Sequence, residues 1–144
     1  MFGYYRVASA VNKTTVANPA KNADEIITLI NEAHNREVSV VVFPELTLTG
    51  YTASDLFLNQ TLLASQNESL SHILNNIGNI NTIAIIGIAL LEADRLYNCA
   101  AVLQNGKILG IIPKSYLPNK KEFYEKRQFI TGKDITRTTT ELLN

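Results

Sequence analysis

Two ionisable residues in this sequence sit in the same local pattern. Glu45 follows an apolar, largely β-branched run, Val38 to Phe43, that ends at Pro44, and Lys114 follows Ile111, Ile112 and Pro113. A proline cannot donate to a sheet ladder and holds the residue before it extended, so each run reads as a buried strand that the chain leaves at the proline. Ligands of α/β sheets lie outside the carboxyl ends of strands. If these two ends are neighbours, a carboxylate there can take a proton while a fixed ammonium stabilises a developing oxyanion. A plainer account makes Glu45 a turn or capping glutamate and Lys114 an ion-pair partner or surface lysine. Spacing alone favours that account, because two ionisable residues after prolines arise easily by chance.

The elements that would position these residues can be read in order. Tyr4 to Val11 alternates enough for a strand, and Asn18-Pro19 supplies an N-cap and a first helical residue with its φ preset. Ala23, Ile26, Ile27, Ile30 and Ala33 then recur at helical spacing, which predicts a helix to about Arg36 with one stripe on a sheet. Ser54-Asp55 can cap a short helix, and Leu70, Ile73, Leu74 and Ile77 mark a second amphipathic helix over Leu62 to Ile77. Ile83 to Leu91 reads as a strand whose Gly87 signals a bulge or a close backbone approach. Leu96 to Gln104 and Lys107 to Ile112 flank Asn105-Gly106, the strongest short hairpin signal, because both residues tolerate positive φ. A parallel βαβ opening that feeds an antiparallel hairpin predicts a layered α/β fold with a mixed sheet.

Composition narrows the function classes. The 144 residues carry 13 basic and 13 acidic side chains, so no charge footprint for nucleic acid or an anionic membrane stands out. The longest apolar run, Ile83 to Leu91, falls well short of the ~20 residues that span a bilayer, and a cytoplasmic location is expected. The single cysteine, Cys99, shares its strand parity with Tyr97, Ala101 and Leu103 and reads as packing rather than as a nucleophile. His34 and His72 form no ligand-spaced pair with each other or with Cys99, so no metal site is expected.

Taken together, FPELTLTGY, LYNCAAVLQNGKILGIIPKSYLP and NKKEFYEKRQF resemble, in order and spacing, the signature blocks of the nitrilase (carbon–nitrogen hydrolase) superfamily. Within it, TGYTxxDLF and the PN-x-x-EFYEKR block are similar to the amino-terminal glutaminase domains of the glutamine-dependent NAD⁺ synthetases. The resemblance runs from about Tyr4 to Phe129 and implies a nitrilase-like α-β-β-α layered sandwich, incomplete in this chain. Residues 1–130 would be the amino-terminal part of the hydrolase domain, and 131–144 a polar tail or truncation end.

By the same resemblance, Glu45 would be the general base and Lys114 the oxyanion holder of a Glu-Lys-Cys triad. Glu122 would be the additional glutamate beside the lysine. Tyr51 would be an aromatic residue of the glutamine pocket, and Lys120 stands where relatives often have a substrate-contacting tyrosine. The implied reaction is hydrolysis of the glutamine side-chain amide. A carboxyl-terminal synthetase domain would then use the ammonia, with ATP and Mg²⁺, to amidate nicotinic acid adenine dinucleotide.

The sequence departs from the pattern in three places. The family's nucleophilic cysteine lies several tens of residues after the lysine, and no cysteine follows Cys99, so these residues alone are expected to be inactive. Lys120 leaves open a carbon–nitrogen hydrolase acting on another amide, and Gln128 replaces a common tryptophan. A non-catalytic module that keeps the scaffold is the further alternative. An incomplete sandwich also predicts either self-association, giving a homo-oligomer, through uncovered apolar surface, or membership of a longer chain.

Overall fold

The computed structural model describes residues 3–135. Five strands, β1 (Val7–Ser9), β2 (Val40–Val42), β3 (Ile83–Glu92), β4 (Arg95–Gln104) and β5 (Lys107–Pro113), form one sheet in sequential order. The first three are parallel, and β4 and β5 each add an antiparallel neighbour. Two antiparallel steps restore the original direction. The carboxyl ends of β2, β3 and β5 therefore lie at one rim.

Both parallel crossovers carry helices. α1 (Pro19–Asn35) begins as its sequence requires, with the Asn18 side chain accepting from the Lys21 amide and proline at the first helical position. α2 (Gln60–Asn76) is capped by Asn59, which accepts from the Thr61 amide. Ser54 and Asp55 cap nothing: Tyr51–Leu58 is a 3₁₀ segment broken at Ser54, whose φ is 53°.

Strand alternation sorts the sheet into two faces. Val41, Ala84, Ile86, Ile88, Tyr97, Cys99, Ala101 and Leu103 point to one side, where they pack with Ile26 and Ile30 of α1 and Leu70 and Ile73 of α2. On the other face, near the rim, Leu46, Ala53, Phe57, Ala89, Leu96 and Phe129 form a smaller cluster. Outside that cluster this second face is open, with Val7 70%, Val42 43% and Ile112 55% exposed. β2 and β5 are thus not buried strands as expected; each has one side uncovered. The second sheet and outer helical layer of a four-layer sandwich are not among the described residues.

The hairpin turn at Asn105-Gly106 forms with φ of 50° and 70°, the handedness its residues favour. A second turn of the same hand, Ala93-Asp94 with φ of 47° and 59°, joins β3 to β4 and carries no comparable sequence signal. Packing continues past residue 130. The Gly132 amide donates to the Lys114 carbonyl at 2.9 Å and the Thr131 hydroxyl to the Ser115 carbonyl at 2.6 Å, both just past the end of β5. The part of the expected tail from 136 to 144 lies outside the described residues.

Candidate functional site

The ends of β2 and β5 share a rim but are not neighbours. β3 and β4 lie between them, and three strand spacings separate the two by about 14 Å. The chain after Pro44 closes that gap. It folds into a tight turn in which the Thr49 and Gly50 amides both donate to the Leu46 carbonyl, and it lies across the face of β3 at Gly87. A Cβ at Gly87 would fall 2.1 Å from the Leu46 nitrogen and 2.7 Å from the Glu45 carbonyl carbon. Only a residue without a side chain permits that approach, so of the two readings of Gly87 the structure shows the close backbone contact.

Glu45 is thereby carried over β4 to Lys114. The Lys114 Nζ donates to Glu45 Oε1 at 2.6 Å and to both carboxylate oxygens of Glu125 at 3.0 Å. Lys114 itself is fixed through its backbone, since its amide donates to the Asn98 carbonyl at 2.8 Å and its carbonyl accepts from Gly132. Partial burial pulls the ammonium down, but hydrogen bonds to Glu45 and Glu125, with their charges, outweigh it and hold its pKa above the ordinary lysine value. It is a permanent cation at neutral pH.

The glutamate beside the lysine is Glu125, not Glu122. Glu122 is exposed, with no side-chain hydrogen bond or ion pair among the described residues, whereas Glu125 is buried at 4% exposure. The cause is local geometry. Lys121 adopts a positive φ of 56°, the Glu125 amide reaches the Pro118 carbonyl, and a 3₁₀ turn over Glu125–Arg127 points residue 125 inward. Both glutamates stand in the EFYEKR block, and nothing in their spacing from Lys114 separates them. Lys120 is exposed beside that turn, with no side-chain hydrogen bond or ion pair among the described residues.

Tyr51 does join the group. Its hydroxyl donates to Glu125 Oε1 at 2.9 Å, and burial, followed by that bond and the charges of Glu125 and Glu45, pushes its pKa up to about 12. Two further rungs tie the Tyr51–Leu58 segment to the 125–129 turn. Arg127 grips Asp55 with two bonds of 2.7 and 2.8 Å, joined by Gln128 at 2.9 Å, and the Phe57 and Phe129 rings pack 5.1 Å apart beneath them. Asn98 is a member that motif reading overlooked. Its amide nitrogen donates to Glu45 Oε1 from β4, where it pairs with Ala89 on the rim face.

Cys99 is elsewhere. One residue from Asn98, it points to the helical face, and burial alone pushes its thiol up to about 12. Among the described residues no group of three or more His, Cys, Asp or Glu could hold a metal ion. At the rim itself the Lys114 amine occupies the space between the two carboxylates, an arrangement unsuited to a divalent cation.

A mixed sheet with helices on one face and an acid–ammonium–acid cluster at the rim defines a recognisable class. The carbon–nitrogen hydrolase family model matches residues 6–143, and the chain belongs to that family. More particularly, it is 37% identical over 130 residues to the glutamine-dependent NAD(+) synthetase of Mycobacterium tuberculosis (strain H37Rv), covering 90% of this chain and 19% of that protein. The crystal structure of a glutamine-dependent NAD(+) synthetase from Cytophaga hutchinsonii superposes with a TM-score of 0.87 at 30% identity, over 97% of this chain and 24% of that one. An amidase from Nesterenkonia sp. shares the fold, with a TM-score of 0.76 at 18% identity over 89% of this chain and 48% of that one. The chain thus spans about a fifth of the length of the synthetases it matches. Among the described residues no helix is long and apolar enough to cross a membrane.

Proposed function

We propose that these residues form part of the glutaminase portion of a glutamine-dependent NAD⁺ synthetase, in a longer cytoplasmic polypeptide. The observation that carries the reading is the Lys114 ammonium held at 2.6 Å from Glu45 and 3.0 Å from Glu125. In this reading Glu45 takes the proton from a thiol, and the thiolate attacks the side-chain amide carbon of glutamine. Lys114 holds the oxygen that becomes negative in the tetrahedral intermediate, where a fixed charge in a partly desolvated site stabilises most. Collapse, with the proton passing from Glu45 to the amide nitrogen, expels ammonia and leaves a thioester, which water hydrolyses to glutamate and the free thiol. Glu125 keeps Lys114 charged and aimed, and Tyr51 restrains Glu125.

The nucleophile would come from outside these residues, because Cys99 is buried on the opposite face with its thiol firmly protonated. ATP, Mg²⁺ and nicotinic acid adenine dinucleotide would be handled by the synthetase domain. Lys120, exposed at the rim's edge, keeps alive a second reading in which the amide is not that of glutamine.

The test is ammonia release from glutamine by the complete gene product carrying these residues, with Glu45→Gln and Lys114→Met as variants. Loss of at least about 100-fold in each supports the reading, since a positioned base and an oxyanion donor each contribute that much. Unchanged turnover in either variant overturns it. A wild-type protein that hydrolyses other amides and spares glutamine favours the second reading.

A further inference from the structure

We propose that Asn98 is a positioning residue that selects which oxygen of Glu45 accepts the proton; the inference rests on the reading of Glu45 as the base. The two oxygens of that carboxylate are not equivalent. Oε1 accepts from both the Lys114 ammonium and the Asn98 amide, while Oε2 accepts from no group among the described residues. A carboxylate held by one ammonium alone can rotate about its terminal torsion and exchange its oxygens, because that torsion is broad. A second donor, arriving from a different strand, removes the freedom and leaves Oε2 as the oxygen presented to the reacting proton.

Asn98 suits this task for three reasons. It is 3% exposed in the longest strand pairing of the sheet, opposite Ala89, so its side chain is held by packing. Its own carbonyl accepts from the Lys114 amide at 2.8 Å, so one residue sets both members of the Glu45–Lys114 pair. A neutral amide donates without adding charge; an aspartate here would face Glu45 as a second anion in a rim that already holds Glu125 and the Tyr51 hydroxyl around one ammonium.

The experiment uses the complete gene product. Asn98→Leu, with the same branched heavy-atom shape but no donor, is expected to lower kcat by about 10- to 100-fold with KM within about threefold, part of what a well-placed base contributes. Combined with Glu45→Gln it should cost nothing further, because Asn98 acts through Glu45; independent losses that multiply indicate a packing role and overturn the proposal. Unchanged kcat in Asn98→Leu also overturns it. Should that variant not fold, Asn98→Ser, too short to reach Glu45, carries the same comparison. A readout without turnover keeps the two ideas separate. The Asn98 side-chain amide proton resonance should move when Glu45 becomes glutamine, even if the wild type proves inactive on glutamine, and a resonance that stays in place refutes the contact.

Discussion

Replacing Gly87 with alanine tests how the site is assembled, because the substitution alters no charged or hydrogen-bonding side chain. The added methyl would lie 2.1 Å from the Leu46 nitrogen and 2.7 Å from both the Glu45 carbonyl carbon and the Pro44 carbonyl oxygen. All three neighbours are backbone, so no side-chain rotation relieves the overlap. Reaching ordinary contact near 3.4 Å requires the 44–46 turn to lift by about 1.3 Å. A shift of that size along the Glu45–Lys114 line would stretch their 2.6 Å hydrogen bond to roughly 3.9 Å, beyond useful reach.

Alanine in a strand is otherwise better than glycine by about 0.5–1 kcal/mol, so propensity opposes the clash. Overpacking of this kind costs about 1–3 kcal/mol, which for a chain of this length lowers Tm by about 3–10 °C. The same displacement should reduce turnover about 100-fold, since a misplacement near 1 Å is enough to do so. Gly110→Ala supplies the control. It also lies in a strand, but nothing stands within 4 Å of its added methyl, and it should be neutral or slightly stabilising. Thermal unfolding followed by circular dichroism reads both. Equal Tm values for Gly87→Ala and Gly110→Ala would refute the claim that the Glu45 turn is seated on bare backbone.

Three shorter predictions follow from the same geometry. Glu125→Gln should destabilise by about 1–3 kcal/mol, as a buried acceptor for a charged donor is weakened, while the exposed Glu122→Gln should stay within about 0.5 kcal/mol; urea unfolding separates them. Tyr51 should ionise near pH 12, visible as a late phase at 295 nm that Tyr51→Phe removes. Its raised pKa makes the stabilisation complete below the unfolded value near 10 and lost as pH climbs through 12, so this group should add no pH dependence to stability near neutrality. Cys99 should resist thiol reagents at pH 8 in the folded protein and react promptly in urea; fast native labelling would contradict its placement in the helical-face core.

What could be read in the sequence was what local chemistry fixes. Asn18-Pro19 starts a helix because the cap and the preset φ act within a few residues, and Asn105-Gly106 turns a hairpin because both residues accept positive φ. Proline breaks placed Glu45 and Lys114 at the exits of strands, and motif order marked the family. Tertiary structure alone decided the rest. It chose Glu125 over Glu122 through a positive-φ turn at Lys121, and it brought in Asn98 by a strand pairing with no sequence period of its own. It also showed that the ends of β2 and β5, separated by two strands, meet only because the Glu45 turn crosses β3 at Gly87. The physical reason is one of range. Caps, turns and strand alternation are set by neighbours a few residues away, whereas the Glu45 carboxylate meets an amide 53 residues on and an ammonium 69 residues on only through the register and packing of the whole sheet.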